Sequence, residues 1–334
     1  MKIDVFTHFL PIKYVETVRE RAPEAFRRMG KVMQLSALVD VEARLRVTEP
    51  FPNYRQVLTS AGVPESGMPP QAVPELIRLL NDEMAALVAK RPDQFIAFVA
   101  SVSLTNVDAG LKELERAVGG LGARGLQLFT NVDGVPLDDP RFAPFFARMA
   151  EYDLPIWLHP TRRDNFPDYL SEDRSRYNIS HIFGWPYETT AALTRIVFAG
   201  YLKRFPNLKI IAHHAGGLLP HFAGRVADTY DTDNVLMGEL RQKLDELGRH
   251  PAEYFHMIYG DTALAGTGHA IPCALGYFGS EKLLFATDIP YGREMGARRV
   301  RETTEAIDAL PISAEEREAI YWRNAARLMK LKLE

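Results

Sequence analysis

The N-terminal stretch DVFTHFLP, residues 4–11, forms the first element of the fold and raises a question of metal chemistry. Apolar residues lead into His8, and Pro11 closes the stretch, as expected of a buried strand that presents its last side chains to a site. Metal ligands on a strand usually come as a pair two residues apart, because alternate side chains share a face. The partner position holds Phe6, which cannot coordinate an ion. The stretch therefore predicts either a metal site that lacks one ligand or a histidine with a structural role.

Length and composition favour a large enzyme-sized domain that handles small molecules. The chain has 334 residues, of which 46% are hydrophobic, so it can bury a large core as one barrel-type domain or as two smaller ones. A formal net charge of -3 leaves no basic excess for nucleic acid or an anionic membrane. Cys273 is the only cysteine, and the N-terminus has no signal-peptide pattern, which predicts a cytoplasmic protein. Its apolar stretches are shorter than the ~20 residues of a membrane span.

Short apolar runs rich in β-branched residues alternate with longer segments of helical period, which predicts repeated βα units and a parallel sheet. The eight runs are KIDVFTH, YRQVLTS, QFIAFVASV, ARGLQLFT, LPIWLHP, LKIIAHH, YFHMIYGDT and KLLFATD. Eight such units predict an α/β fold, a (β/α)8 TIM barrel, over the whole chain, residues 1–334, as a single domain. Residues 11–73, approximately, are long and Pro-rich for one such unit, and we expect an inserted helical or lid segment there, after the first strand.

Titratable side chains fall at the ends of four of these runs, where a barrel places its chemistry. His8 ends the first run, His159 the fifth, His213 and His214 the sixth, and Asp288 the eighth. A single histidine on an apolar strand is more often a hydrogen-bonded core residue, and a single Asp after a strand is more often a turn or helix cap. Four strands that end this way at one mouth predict a functional site.

These motifs together resemble the amidohydrolase superfamily, in the branch of decarboxylases and hydrolases typified by aminocarboxymuconate semialdehyde decarboxylase and γ-resorcylate decarboxylase. The stretch DVFTHFLP resembles the branch's D-x-H-x-H-like start without its first histidine. The segments WLHP, HAGGLLP and TDIP resemble its fifth-, sixth- and eighth-strand motifs. The longer segments RPDQFIAFVASV, LKRFPNLKIIAHH and ALGYFGSEKLLFATDIPYG carry the resemblance over nearly the whole chain.

The resemblance implies a barrel of the metal-dependent hydrolase type with His8, His159 and Asp288 as inner metal ligands. Imidazole and carboxylate suit Zn²⁺, which is the expected ion, and they also serve Mn²⁺. Binuclear members carry a carboxylated lysine at the end of the fourth strand, where this chain reads LQLFTN, so one ion per chain is expected. Phe6 departs from the His or Glu of the branch, and water or a substrate oxygen would have to take its place.

The resemblance also assigns catalytic and substrate-binding roles. His214 is the implied catalytic imidazole, with Asp288 beside it, whereas strand alternation predicts that His213 packs between barrel and helix. Arg162 and Arg163 follow the fifth strand and could pair with a substrate carboxylate, although solvated loop charges are the commoner case. The remaining candidates for substrate binding are Phe6, Trp185 and Arg225.

Arg225 resembles an arginine that a neighbouring subunit contributes in the semialdehyde decarboxylase, which implies a homodimer or a higher homo-oligomer. Trp185 and Tyr187 match a segment that borders the pocket, and a core or dimer-contact role is equally compatible with these aromatic residues. No nucleic acid or membrane partner is expected.

Three functions remain open at this point. The first is non-oxidative decarboxylation of a small aromatic or enol carboxylic acid, with a metal that holds the substrate. The second is hydrolysis of an amide, a lactone or a ring-cleavage product by metal-bound hydroxide. The third is a barrel retained for binding without catalysis, which the Phe6 change keeps open.

Overall fold

The computed structural model describes residues 1–62, 65–231 and 240–333, without the side chain of Lys31. Eight short strands alternate with helices along the chain. They are β1 Lys2–His8, β2 Tyr54–Thr59, β3 Phe95–Phe98, β4 Leu126–Phe129, β5 Ile156–His159, β6 Ile210–Ala212, β7 Tyr259–Asp261 and β8 Leu283–Leu284. Two further strands, Asn131–Val132 and Val135–Pro136, form a small antiparallel hairpin after β4.

The strands close into a parallel barrel. The strands form a three-stranded sheet in the order β1-β2-β3 and a five-stranded sheet in the order β8-β7-β6-β5-β4. Parallel bridges join the two sheets at both of their edges, between Ala100 and Leu126 and between Thr7 and Ile289. His8 N also donates to Ile289 O at 2.9 Å, so the end of β1 is tied to the chain that leaves β8. The predicted (β/α)8 barrel is confirmed.

Helices surround the barrel and fill its connections. They are α1 Ile12–Arg21, α2 Pro23–Met29, α3 Ser36–Val39, α4 Val41–Thr48, α5 Val73–Lys90, α6 Val107–Gly119, α7 Ala143–Tyr152, α8 Ile179–Ile182, α9 Gly184–Phe198, α10 Tyr201–Arg204, α11 His213–Gly216, α12 Leu219–Thr229, α13 Leu240–Leu247, α14 Pro251–Phe255, α15 Ala270–Phe278, α16 Ala297–Asp308, α17 Ala314–Glu318 and α18 Asn324–Met329. Single 3₁₀ turns lie at Gly30–Gln34, Pro140–Phe142 and Arg293–Gly296, and a π turn at Ala319–Arg323 joins α17 to α18. No helix in the described part of the chain is long and apolar enough to cross a membrane.

A buried apolar cluster links strands on opposite sides of the barrel. Trp157 on β5 is fully buried, and its indole Nε1 donates to Val5 O on β1 at 2.8 Å. A Cβ at Gly125 would lie 2.2 Å from the Trp157 ring, so the chain entering β4 needs glycine there. This packing holds the strands whose ends carry the candidate site.

The stretch 11–73 is not one uninterrupted insertion, because β2 lies inside it. Helices α1 to α4 connect β1 to β2, and the described residues 60–62 and 65–72 lie between β2 and α5. Arg44 on α4 is fully buried and donates to Ala37 O, to Gln56 Oε1 and to His8 O. The first helices are therefore fastened to the end of β1. A lid function for this stretch stays a prediction.

Candidate active site

Four imidazoles and one carboxylate meet at the carboxyl ends of the barrel strands. His8 ends β1, His159 ends β5, His213 and His214 follow β6, and Asp288 follows β8. The ligand atoms of His8, His159 and His213 lie within 4.8 Å of one another, and those of His213, His214 and Asp288 do so as well. The structure thus places His213 in both groups and His8 Nε2 3.1 Å from Asp288 Oδ1, whereas metal binding by His8, His159 and Asp288 stays a prediction.

Two of the imidazoles are held by backbone carbonyl oxygens at their Nδ1 atoms. Nδ1 of His8 lies 2.7 Å from Ser60 O, and Nδ1 of His159 lies 2.6 Å from Pro160 O. A carbonyl oxygen only accepts, so both Nδ1 atoms carry a proton, and in the neutral form of each ring the lone pair is then on Nε2, which faces the site. Such outer hydrogen bonds are what fix metal-binding histidines in the correct tautomer and orientation.

His213 occupies the centre of the site, which corrects the expectation that it packs between barrel and helix. Its side chain is fully buried, and its ring centroid lies 3.8 Å from that of His214. The expectation assumed an extended strand, but β6 ends at Ala212 and the backbone at His214 is left-handed, with φ 53° and ψ 48°. Strand alternation no longer applies after the turn, so consecutive imidazoles both reach the site.

Asp261, at the end of β7, holds His213. Its Oδ2 lies 2.5 Å from His213 Nδ1, and its Oδ1 accepts from the backbone nitrogens of Ala215 and Ala263, each at 3.1 Å. Burial opposes a charge on His213, but the carboxylates of Asp261 and Asp288 outweigh it and raise the pKa of His213 to about 9. The centre of the site therefore favours positive charge, from a proton or from a cation.

Asp288 is oriented by groups on both of its oxygens. Its Oδ1 lies 3.1 Å from His8 Nε2 and 3.6 Å from His213 Nε2, while Arg299 on α16 donates to its Oδ2. Burial would raise the pKa of Asp288, but contacts with His213, His214 and His8 outweigh burial and hold that pKa well below its usual value. Asp288 is accordingly an ionised carboxylate, as a ligand for a divalent cation requires.

Two further histidines of the cluster, His159 and His214, are neutral. Burial and the neighbouring imidazoles lower the pKa of His159 well below its ordinary value, and burial together with His213 lowers that of His214. His214 keeps 19% of its side chain exposed, and its Nε2 lies 3.9 Å from Asp288 Oδ2. It lies at the border between the charged cluster and the adjoining cavity, near the ring of Trp185 at a centroid distance of 6.2 Å.

Phe6 lies behind the imidazoles instead of lining the cavity, which corrects its expected substrate contact. Its ring is completely buried and stacks on His213 with centroids 3.7 Å apart. The centroids of His8 and His159 lie 5.7 and 6.0 Å away. Its ring is covered by His213, so substrate cannot reach it.

An apolar cavity of about 280 Å³ opens beside the cluster. The first helices, the loop after β2 and the strand ends all contribute to its wall. Its lining residues are Leu10, Tyr14, Ala25, Arg28, Met29, Val32, Ala61, Gly62, Ser66, Met68, Phe129, His159, Pro160, Thr161, Trp185 and Tyr291. Trp185 thus takes the pocket position that the sequence analysis expected, and the cavity can hold a single aromatic ring.

The predicted arginines lie outside this lining. Arg162 pairs with Glu188 at 2.8 Å, and Arg163 pairs with Asp133 at 2.7 Å. Arg225 is exposed on α12. A substrate role for any of the three stays a prediction, and Arg162 or Arg163 would have to exchange its carboxylate partner for the substrate.

Sequence reasoning missed four residues near the site. Asp261 could have been found, because it ends the seventh run, in YFHMIYGDT. Tyr291 lies three residues after Asp288 and its ring centroid is 5.4 Å from that of His8. Arg28 and Arg299 reach the site from helices, α2 and α16, and nothing in their local sequence indicates that.

The donor set fits a single divalent cation. Nε2 of His8 and Nε2 of His213 are buried and meet no hydrogen-bond donor among the described residues, and both face Oδ1 of Asp288, at 3.1 and 3.6 Å, which can only accept. Uncompensated buried nitrogens of this kind are costly unless a proton or an ion satisfies them. Neutral imidazoles with an ionised carboxylate form the ligand set that Zn²⁺ and Mn²⁺ accept.

A closed parallel barrel with histidines after its first, fifth and sixth strands and an aspartate after its eighth defines a metal-dependent barrel enzyme of the amidohydrolase type. The chain belongs to the amidohydrolase family, whose sequence profile matches residues 3–331. The resemblance stated from the motifs is confirmed.

Named relatives in this family are decarboxylases. The chain is 28% identical over 66% of its length to 2-amino-3-carboxymuconate-6-semialdehyde decarboxylase of Dictyostelium discoideum, and the match spans 58% of that protein. It is 30% identical over 78% of its length to γ-resorcylate decarboxylase of Rhizobium sp., covering 80% of that protein. A solved dihydroxybenzoic acid decarboxylase from Polaromonas sp., with bound manganese and the inhibitor 2-nitroresorcinol, shares the fold at a TM-score of 0.77 and 23% identity, covering 100% of this chain and 98% of that one.

Proposed function

We propose that this protein is a metal-dependent non-oxidative decarboxylase, a carboxy-lyase, of a small aromatic carboxylic acid. The observation that carries the proposal is the position of a neutral-imidazole and carboxylate cluster at the edge of an apolar cavity of about 280 Å³ with aromatic walls. The decarboxylases named among its relatives support the same reaction. An enol carboxylic acid is the second substrate class that the relatives support.

His8, His159 and Asp288 would hold one divalent ion. When bound, it would polarise and position the carboxylate and any adjacent hydroxyl oxygen of the substrate. Zn²⁺ and Mn²⁺ are the two candidates, and the manganese in the Polaromonas relative supports Mn²⁺.

His214 delivers the proton that the reaction needs. The neutral His214 imidazole first takes up a proton from solvent at its partly exposed ring and passes it to the ring carbon that bears the carboxylate, and the bond to the carboxylate carbon then breaks. Its electron pair returns to the ring and CO₂ leaves, so no oxidant or reductant is required. A group with its pKa lowered by burial is a stronger acid, and general acids of this kind contribute ~10²–10⁴-fold to rate.

The substrate ring lies between Phe129, Trp185 and Tyr291 in the apolar cavity. The substrate carboxylate needs a cationic side chain in addition to the metal ion, and bidentate pairing with an arginine would orient that carboxylate. Arg28 is the described arginine in the lining, and its nearest acidic partner, Glu24, is 3.7 Å away. Arg162, Arg163 and an Arg225 from a second subunit are the other candidates.

The proposed assembly is a homodimer or a higher homo-oligomer in the cytoplasm. Arg225 is exposed on α12 and is thus available to a second copy of the chain. Light scattering with size-exclusion chromatography measures the assembly directly.

A substrate screen tests the reaction. Full-length protein loaded with Mn²⁺ or Zn²⁺ is incubated with hydroxybenzoic acids that carry a hydroxyl next to the carboxylate, and released CO₂ is measured together with the phenol. Formation of both in equal amounts supports the proposal. Cleavage of amide or lactone substrates without CO₂ would instead establish the hydrolase alternative, and tight binding of the acids without turnover would establish the binding barrel.

A further inference from the structure

The first strand offers one metal ligand where its pattern calls for two, because Phe6 cannot coordinate. His8, His159 and Asp288 alone leave the ion with two imidazoles and one carboxylate. If the metal is bound as proposed above, another side chain must supply the missing donor.

His213 presents a free donor atom to the same space. Its Nε2 is buried, has no hydrogen-bond partner in the described ranges, and lies 3.6 Å from Asp288 Oδ1. The ligand atoms of His8, His159 and His213 lie within 4.8 Å of one another, and His213 forms a second such group with His214 and Asp288. His213 therefore belongs to both groups. No other side chain joins the pair His8 and His159 to Asp288 in this way among the described residues.

The surroundings of His213 are those of a metal-binding histidine. Asp261 Oδ2 lies 2.5 Å from Nδ1, and both side chains are fully buried. A carboxylate on Nδ1 directs the lone pair of Nε2 into the site and increases its basicity. Asp261 is itself fixed by the backbone nitrogens of Ala215 and Ala263, so the imidazole has little freedom to turn away.

Phe6 and His213 fill adjoining space inside the barrel. Their rings stack at 3.7 Å with their planes inclined by 24°. Both side chains are completely buried, so a second donor on β1 would compete with the His213 ring for the same volume. The inward position of the His213 ring therefore goes together with a side chain at position 6 that is not a metal ligand.

We propose that His213 replaces the missing first-strand ligand, so that the ion is bound by Nε2 of His8, His159 and His213 together with Asp288. In this arrangement Asp261 is a positioning residue that acts through His213, and Phe6 supports the face of the His213 ring. His214 remains free for proton transfer.

Counting imidazoles in the wild-type protein tests the assignment without any substitution. X-ray absorption spectra of the full chain loaded with one Zn²⁺, or pulsed EPR of the chain loaded with Mn²⁺, report the number of bound imidazole nitrogens. Three imidazoles are expected. Two imidazoles would overturn the proposal while leaving the metal dependence intact.

Matched variants then identify the third imidazole. His213→Ala should weaken Mn²⁺ binding by about 100-fold or more in a chelator competition, since even outer-shell changes cost ~10–100-fold. His214→Ala, one residue away, should keep the wild-type affinity and imidazole count. Asp261→Ala should weaken binding by ~10–100-fold through loss of the outer hydrogen bond.

A ligand exchange provides the decisive comparison. The double variant Phe6→His with His213→Phe restores the two-residue pattern on β1 and should recover most of the affinity that His213→Ala loses. If His213→Ala binds Mn²⁺ as wild type does, or if His214→Ala is the variant that loses an imidazole, the assignment is wrong. Absence of Mn²⁺ and Zn²⁺ binding by the wild-type protein would overturn the proposed metal dependence itself, and the ligand assignment with it. Far-ultraviolet circular dichroism of each variant separates these results from misfolding.

Discussion

The imidazole of His213 stacks on the ring of Phe6, with ring centroids 3.7 Å apart. The contact joins the position where the first-strand motif lacks a metal ligand to the histidine that strand alternation placed outside the site. Because both rings are buried, a change at either residue alters the volume available to the other. The proposed metal site therefore depends on both β1 and the turn that follows β6.

Replacement of His214 by asparagine should abolish most turnover without loss of metal. His214 borders the cavity and is the proposed proton donor, so His214→Asn should lower kcat by ~10²–10⁴-fold. Elemental analysis should show the same metal content as in wild type. His221→Asn changes an exposed histidine on α12 and serves as the control. Retention of activity in His214→Asn, with loss in His213→Asn, would assign proton transfer to the other imidazole.

Replacement of Asp288 by asparagine should lower metal content and activity together. The neutral amide removes the carboxylate from the cation and leaves Arg299 without its partner. Loss of a ligand should cost more than the ~10–100-fold typical of outer-shell changes in affinity. Titration with Mn²⁺ and a fluorescent chelator measures the change. An Asp288→Asn protein with wild-type affinity would show that Asp288 acts only as a turn residue.

Removal of the metal should stop turnover reversibly. Prolonged dialysis against a chelator, followed by exchange into metal-free buffer, is expected to abolish CO₂ release, and one equivalent of Mn²⁺ or Zn²⁺ per chain should restore it. Mg²⁺ should restore less, because it prefers oxygen ligands and the site offers mainly imidazole nitrogens. Full activity in protein shown by elemental analysis to be metal-free would contradict the proposed mechanism.

Asp4 should make the protein less stable as pH rises through the weakly acidic range. Its carboxyl group is fully buried, and burial raises its pKa to about 7 despite hydrogen bonds from Tyr54, Thr287 and the Phe6 backbone. The unfolded chain releases this proton near pH ~3.9, so between that pH and about 7 the native state binds more protons. The free energy of unfolding then falls with rising pH, by ~4 kcal/mol in all from this group.

Asp4→Asn removes that contribution. The difference in unfolding free energy between wild type and Asp4→Asn, from urea titrations at pH 4 to 8, should fall steadily with pH and level off above pH ~7. The exposed Asp93→Asn provides the control, whose difference from wild type should stay flat. A constant difference for Asp4→Asn would mean that the Asp4 carboxyl keeps one protonation state throughout.

Arg225 should act across subunits. Arg225→Ala and His214→Asn are each expected to be nearly inactive, but subunit exchange between them should create mixed dimers with one intact site. Random exchange then restores about a quarter of wild-type activity. Activity is followed by CO₂ release after the two proteins are mixed and incubated. If each site uses its own Arg225, the mixture stays inactive although light scattering shows mixed dimers.

The barrel and part of its site could be predicted because their signals are local. Apolar runs that end in His8, His159 and Asp288 identify strand ends, and the carboxyl ends of parallel barrel strands lie at one mouth. Arg162 and Arg163 show the limit of this reasoning. Their partners Glu188 and Asp133 are 26 and 30 residues away along the chain, and only the folded loops bring them together.

The sequence by itself determined which elements form and which of their ends carry imidazole and carboxylate, because strand and helix periodicities arise from neighbouring residues along the chain. Only the tertiary structure decided which imidazoles share the site. The left-handed turn at His214 cancels the alternation of β6, and Asp261, 48 residues after His213 along the chain, captures its ring. The direction of the His213 imidazole depends on Asp261, which lies at the end of another strand. It is therefore set by the closure of the barrel and not by any local sequence pattern.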